Sequence, residues 1–325
     1  MVLGGFLVAG CGSGNGAGST QTEAADSRPL RNVSVTLDGQ GGPQNVGILM
    51  AEQRGYFADA GLSVSVFSPA LPARPVQYVA TRQDDFGVTQ EPQLAMAKAK
   101  GAPVIAVGSL LNRSTASMIW LARSHLDIAH MQGKTVAIPG VPFQKDFLAS
   151  LLSLYRLKLS DVKVVNVGYN LIPSLVSGRA DAIFGGAWNM EGIELKSRGL
   201  NPIFIPPKSL GFPPYDELLV IARPDLVANR PGLVRDFMSA VARGNAAAIE
   251  DPHAAAAAIV ESGSKVKGKT LNAELESTLP MLSKSGYMYP GEALELTDWM
   301  RDEGMIKWSP PPSALLTNEY ASWQP

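Results

Sequence analysis

The chain has 325 residues, 46% of them hydrophobic, with 28 basic and 29 acidic side chains and a formal net charge of −1. That length and apolar content are enough for two packed lobes. The balanced charge, with no basic run, excludes electrostatic capture of nucleic acid, and no apolar segment reaches the roughly 18 residues of a membrane span.

An apolar run over residues 1–10 ends at Cys11, the single cysteine, and the low-complexity stretch GSGNGAGSTQTEAADS follows. Residues 1–30 therefore read as a terminal segment and flexible tether. With Cys11 outside the folded part, cysteine nucleophiles, disulfides and thiolate metal sites are excluded from it. Residues 33–37 alternate through Val33, Val35 and Leu37 as a strand that ends in Asp38. A glycine-rich turn at 39–42 then leads through Pro43 to a helix over 46–60. A strand at 62–67, a short helix at 75–81, a strand through DDFGVT and a helix over 91–100 come next, and 103–111 and 118–122 read as strands.

A similar order restarts near Lys134. KTVAIPG is a strand, 143–157 an amphipathic helix, VKVVNVG a strand, LIPSLVSGRA a helix, ADAIFGG a strand and MEGIELKSRG a helix. PIFI and DELLVIARP read as strands, the latter closed by Pro224, and from Pro231 onward the chain is helical. The alternation predicts mainly parallel sheets with helices on both faces. Residues 31–122 plus 217–325 form lobe I and 123–216 form lobe II, with crossings near 122 and 217 acting as hinges.

Loops at the carboxyl ends of strands face the ligand crevice of an α/β sheet. That rule places Asp38, with the turn up to Asn45, and the cluster Thr89, Gln90 and Glu91 at such a crevice. Glu91 also suits a helix start through the dipole alone. Trp188, Asn189 and Glu191 follow a strand of small residues; on the residues alone, Trp188 reads as a core side chain as readily as a stacking face. Tyr215 and Glu217 border the cleft or pack the hinge. No G-x-x-x-x-G-K-[ST] run occurs, which argues against a nucleotide hydrolase. The histidines are His125, His130 and His253; the first two lie five apart, off the spacing of a helical metal pair.

The pattern of strand, Asp38, helix and GYF-x-x-x-GL-x-V resembles the substrate-binding proteins of bacterial ABC importers, in the branch that binds pyrimidine precursors of thiamine. DDFGVTQEPQLAMAKAKGAPVIAVGSL and NVGYNLIPSLVSGRADAIFGGAWNMEGIEL extend the resemblance over residues 33–225. It implies an α/β fold of the periplasmic-binding-protein type 2, or Venus flytrap, class, with two lobes joined by two hinge crossings. It also implies an extracytoplasmic receptor that holds a small planar heterocycle and passes it to a permease driven by an ATPase. The ligand set it implies is Asp38, Asn45, Gln90, Glu91, Tyr169, Asn170, Trp188, Asn189 and Glu191, with no metal, no cofactor and a monomeric chain. Where relatives carry tryptophan, asparagine and histidine, this chain has Gly39, Gly42 and Asn45, so the ligand could also be riboflavin-like, or a sulfonate or other organic anion. The resemblance reaches the thiamine-pyrimidine synthase too, whose chemistry needs a Schiff-base lysine, an iron-binding set and a cysteine-rich segment. Val8-Ala9-Gly10-Cys11 resembles a bacterial lipobox, implying lipidation at Cys11 and attachment to the outer face of the cell membrane. No Lys or Arg precedes Cys11, so the expectation is that the start given is internal or trimmed and that the basic segment of such a signal lies upstream of it.

Overall fold

The computed structural model describes residues 29–69 and 74–322; Cys11 and the tether lie outside the described residues. β1 (Arg31–Thr36) buries Val33 and Val35 and leads into α1 (Val46–Gln53) through a single 3-10 turn at Pro43–Asn45. The helix expected over 46–60 is divided, because Gly55 takes a left-handed φ of 71° before α2 (Tyr56–Asp59). β2 (Leu62–Phe67), α3 (Pro75–Ala80), β3 (Phe86–Thr89), α4 (Glu91–Ala99) and β4 (Ile105–Leu111) complete the first run.

β5 (Ala116–Leu121), β6 (Thr135–Ile138), α5 (Gln144–Leu154), β7 (Lys163–Asn166), α6 (Leu171–Val176), β8 (Ala182–Ala187), α7 (Glu191–Ser197) and β9 (Pro202–Ile205) form the middle. β10 (Leu218–Ala222) returns, and Pro224 starts α8 (Pro224–Asn229) rather than merely closing the strand. α9 (Pro231–Glu250), α10 (Pro252–Glu261), α11 (Gly268–Thr278), α12 (Pro290–Asp302) and α13 (Pro312–Leu315) follow.

The strands make two five-stranded sheets, ordered β2-β1-β3-β10-β4 and β7-β6-β8-β5-β9. The two share one plan. In each, the second strand pairs in parallel on both sides, as β1 does with β2 and β3 and β6 does with β7 and β8. The fourth strand of each is antiparallel to both neighbours, and it is the strand that has just arrived from the other sheet. The expected crossing near 122 falls instead at residues 112–115. β5 lies beyond it, hydrogen-bonded to β8 and β9, so residues 116–121 belong with the second sheet.

Three apolar clusters hold these layers. One packs the first sheet against α1 and α9, and one packs the second sheet against α6 and α7. The third is shared between the sheets and runs from Val76 and Leu94 to Phe147 and Phe184. Within it Phe147 of α5 meets Phe212 at 4.7 Å and Trp299 of α12 edge-on at 4.9 Å, joining the two halves.

α1 and α9 cross where glycine meets glycine. A β-carbon on Gly244 would overlap the carbonyl oxygen of Gly47, and one on Gly47 would overlap the side chain of Asn245. Backbone-to-backbone approach of this kind brings α1, and the turn ahead of it, close to α9. Gly244→Ala is therefore expected to destabilise the protein by about 1–3 kcal/mol through overpacking. Urea unfolding measures it, with the exposed Gly291→Ala as the neutral comparison.

Candidate functional site

The carboxyl ends of β1, β3, β6 and β8 face one another across a chamber of about 160 Å³. The first sheet brings Asp38, Gln44 and Gln90 to it, and the second brings Gln144, Tyr169 and Glu191. Thr115 and Glu217 come from the two crossings beneath. Three carboxylates thus face the chamber, and among the described residues its lining holds no lysine, arginine or histidine.

Asp38 is oriented by the 3-10 turn that follows it. Asn45 Nδ2 donates to Oδ1 at 3.0 Å and Gln44 Nε2 to Oδ2 at 3.1 Å. Burial raises its pKa to about 6, with the Asn45 bond opposing and the Glu217 charge adding to the rise. Glu217 accepts from Gln90 Nε2 and from the backbone N–H of Thr115, both at 2.7 Å. Glu191 begins α7 and accepts from the Ala187 N–H at 2.7 Å. Burial pushes its pKa up against that bond, and the charges of Glu194 and Glu217 add to the rise.

Tyr169 closes the chamber from the second sheet. Its hydroxyl donates to the Asp38 carbonyl at 3.3 Å. The ring occupies the space over Gly39, where an added β-carbon would lie 3.0 Å from the hydroxyl oxygen and 3.4 Å from Cζ. Gly39, which sequence comparison marks as a lost aromatic wall, is the floor under an aromatic side chain supplied by the other half.

Of the nine residues expected to contact a ligand, Asp38, Gln90, Tyr169 and Glu191 line the chamber. Asn45 is buried behind Asp38 and positions it. Glu91 points into the return crossing and accepts from the Asp216 N–H at 2.8 Å. Burial raises the pKa values of both Glu91 and Asp216, and their mutual charge raises that of Asp216 further. Asn170 is exposed at the start of α6, outside the lining. Asn189 is buried and donates to Thr278 Oγ1 of α11 at 2.7 Å. Trp188 is half-buried and does not line the chamber. The chain turns sharply after β8, so Ala187, Met190 and Glu191 face inward while Trp188 and Asn189 do not.

Sequence reasoning left out Gln44, Gln93, Thr115 and Gln144 and gave Glu217 two readings. Gln44 stands beside Asn45, so proximity to a marked residue was the available signal, and Gln144 stands within the helix expected over 143–157. Thr115 carried no signal, because its place depends on where the chain crosses.

Glu274 of α11 is also buried, at 3% exposure, and faces the start of α7. Burial, with the charges of Glu194 and Glu191, raises its pKa from 4.5 to about 8. The sign follows from linkage: the folded state binds the proton more tightly, so this stabilising contribution is complete below pH 4.5 and is lost as pH rises through about 8. Asp38 acts in the same sense up to about pH 6. Stability of the unliganded protein is expected to fall between pH 5 and pH 8.5. Glu274→Gln should flatten that slope and raise Tm by about 2 °C or more at pH 8.5, measured by calorimetry.

The NMT1/THI5 like family matches residues 42–255. A Haemophilus influenzae protein named for thiamine biosynthesis is 30% identical over 296 residues, covering 89% of this chain and 91% of that protein. The formylaminopyrimidine-binding protein of Halalkalibacterium halodurans is 31% identical over 236 residues, 72% of each chain. The 4-amino-5-hydroxymethyl-2-methylpyrimidine phosphate synthase of Schizosaccharomyces pombe is 24% identical over 299 residues, 87% of this chain and 84% of that one. Among solved structures, the alkanesulfonate-binding protein SsuA of Xanthomonas axonopodis pv. citri superposes with a TM-score of 0.69 at 14% identity, over 89% of this chain and 99% of that one. The fold is the two-lobed type 2 fold of periplasmic binding proteins.

Proposed function

We propose, since the chain belongs to the NMT1/THI5-like family, that it is the extracytoplasmic solute receptor of an ABC importer and holds a pyrimidine precursor of thiamine between its lobes. The single observation that carries this reading is the convergence of Asp38, Glu191 and Glu217 on one chamber without a cation among its lining residues. A buried carboxylate that lacks a cation seeks N–H donors, and an aminopyrimidine presents them from its amine and protonated ring. Tyr169 supplies the flat apolar face for the ring. The relative from Halalkalibacterium halodurans, named for binding formylaminopyrimidine, supports the choice of ring.

The lobes, divided at residues 112–115 and again before β10, move as two bodies about these crossings. Ligand contacts from both lobes exist only when they meet, so binding shifts the population toward the closed form. Binding and release, not turnover, is the activity. Among the described residues the chamber lining offers no lysine for a Schiff base and no histidine for iron, the groups on which the synthase chemistry depends. The partners are a permease and its ATPase, and the protein acts as a monomer tethered through a lipid on Cys11.

The test is calorimetric titration with 4-amino-5-hydroxymethyl-2-methylpyrimidine and formylaminopyrimidine. Saturation at a hundred times Kd should add about 2.7 kcal/mol to stability. Asp38→Asn, Glu191→Gln and Tyr169→Ala should each weaken binding by about tenfold or more, while Trp188→Ala leaves it within about threefold. Incubation with pyridoxal phosphate and iron should yield no pyrimidine. Absence of binding to either compound, or formation of product, contradicts the reading. For the anchor, labelled palmitate should be incorporated by bacteria expressing the complete gene and lost in Cys11→Ala.

A further inference from the structure

The cleft does not end at the carboxylate chamber. It opens outward into a cavity of about 700 Å³ that shares Gln93, Pro139 and Val141 with it. One face of α4 runs through both: Gln90 borders the chamber, Gln93 borders both spaces, and Met96, Ala97 and Lys100 border the outer one. That spacing is a single helical stripe, and ten residues along it cover about 15 Å. At the start of α3 Arg74 lines the outer cavity and its neighbour Pro75 lines the chamber.

Charge is segregated along this path. Among the described residues the chamber carries three carboxylates and no cation, and the outer cavity carries Arg74 and Lys100 and no carboxylate. Among the described residues neither cation forms an ion pair. Asp146 of α5 lies close enough to Lys100 to feel its charge, but it is not part of the lining. Size points the same way. The chamber alone is smaller than the about 300–1,000 Å³ of small-molecule sites, and chamber and cavity together fall inside that range.

We propose that the outer cavity is a second subsite, in which Arg74 and Lys100 receive an anionic substituent of the solute. The ligand is then bipolar, with an N–H-rich ring among the carboxylates and a phosphate or carboxylate directed outward. This inference rests on the pyrimidine reading and adds its second recognition element. Opposite fields at the two ends would orient such a molecule as it enters. Arg74 offers a planar fork for an oxyanion, and Lys100 a mobile point charge.

Titration calorimetry of the full chain with 4-amino-5-hydroxymethyl-2-methylpyrimidine, its phosphate monoester and the matching 5-carboxylic acid tests it. The wild type should bind at least one of the two anionic forms about tenfold or more tighter than the alcohol. Arg74→Gln/Lys100→Gln should remove that advantage while leaving affinity for the alcohol within about twofold, and rising salt should erode it only in the wild type. Comparing the ester with the acid tells which anion the subsite prefers. Equal affinity of all three for the wild type, or an advantage that survives the double variant, overturns the subsite and leaves the pyrimidine reading standing. Binding of none of them overturns both.

Discussion

Glu217 is the point on which the architecture turns. It stands where the chain re-enters the first sheet, one residue before β10. One carboxylate oxygen holds the Thr115 N–H of the other crossing, and the other oxygen holds Gln90 at the start of α4. Both crossings and the end of β3 are thereby tied beneath the chamber by one side chain that also faces it. A buried carboxylate is costly unless its lone pairs are met. These bonds meet part of that demand and leave the remainder directed at the chamber.

The exchanged fourth strands explain why the site lies where it does. Because β5 and β10 each begin in one sheet's neighbourhood and pair in the other, the two sheets are held with their parallel carboxyl ends opposed. Ligand groups then come from loops, while the strands that carry them stay fixed in the core. The shared aromatic contacts of Phe147, Phe212 and Trp299 add an apolar joint between the two halves. Across the cleft, Tyr169 of the second half reaches Asp38 of the first.

Much of this was legible in the sequence. Alternation of apolar residues located the strands, and the rule that strand ends carry the site located Asp38, Gln90 and Glu191. Helix breaks that depend on a single left-handed glycine, as at Gly55, were harder to place, because the apolar period continues across them. The position of β5 was illegible for a different reason: a fully buried strand carries no face pattern, and only its partners reveal its sheet. The same limit produced the misplacement of Trp188. Residues in a tight turn point by turn geometry rather than by period, so a motif names the neighbourhood without naming which side chain faces inward. Tyr169 over Gly39 could not be read at all, since it joins residues 130 positions apart.

A crystal structure of the protein with a bound aminopyrimidine tests the central claim most directly. The account predicts the ring inside the chamber, against Tyr169, with its amine or ring N–H within hydrogen-bond distance of Asp38, Glu191 or Glu217. A ring bound elsewhere on the molecule, or seated in the chamber with none of these carboxylates in reach, would contradict it.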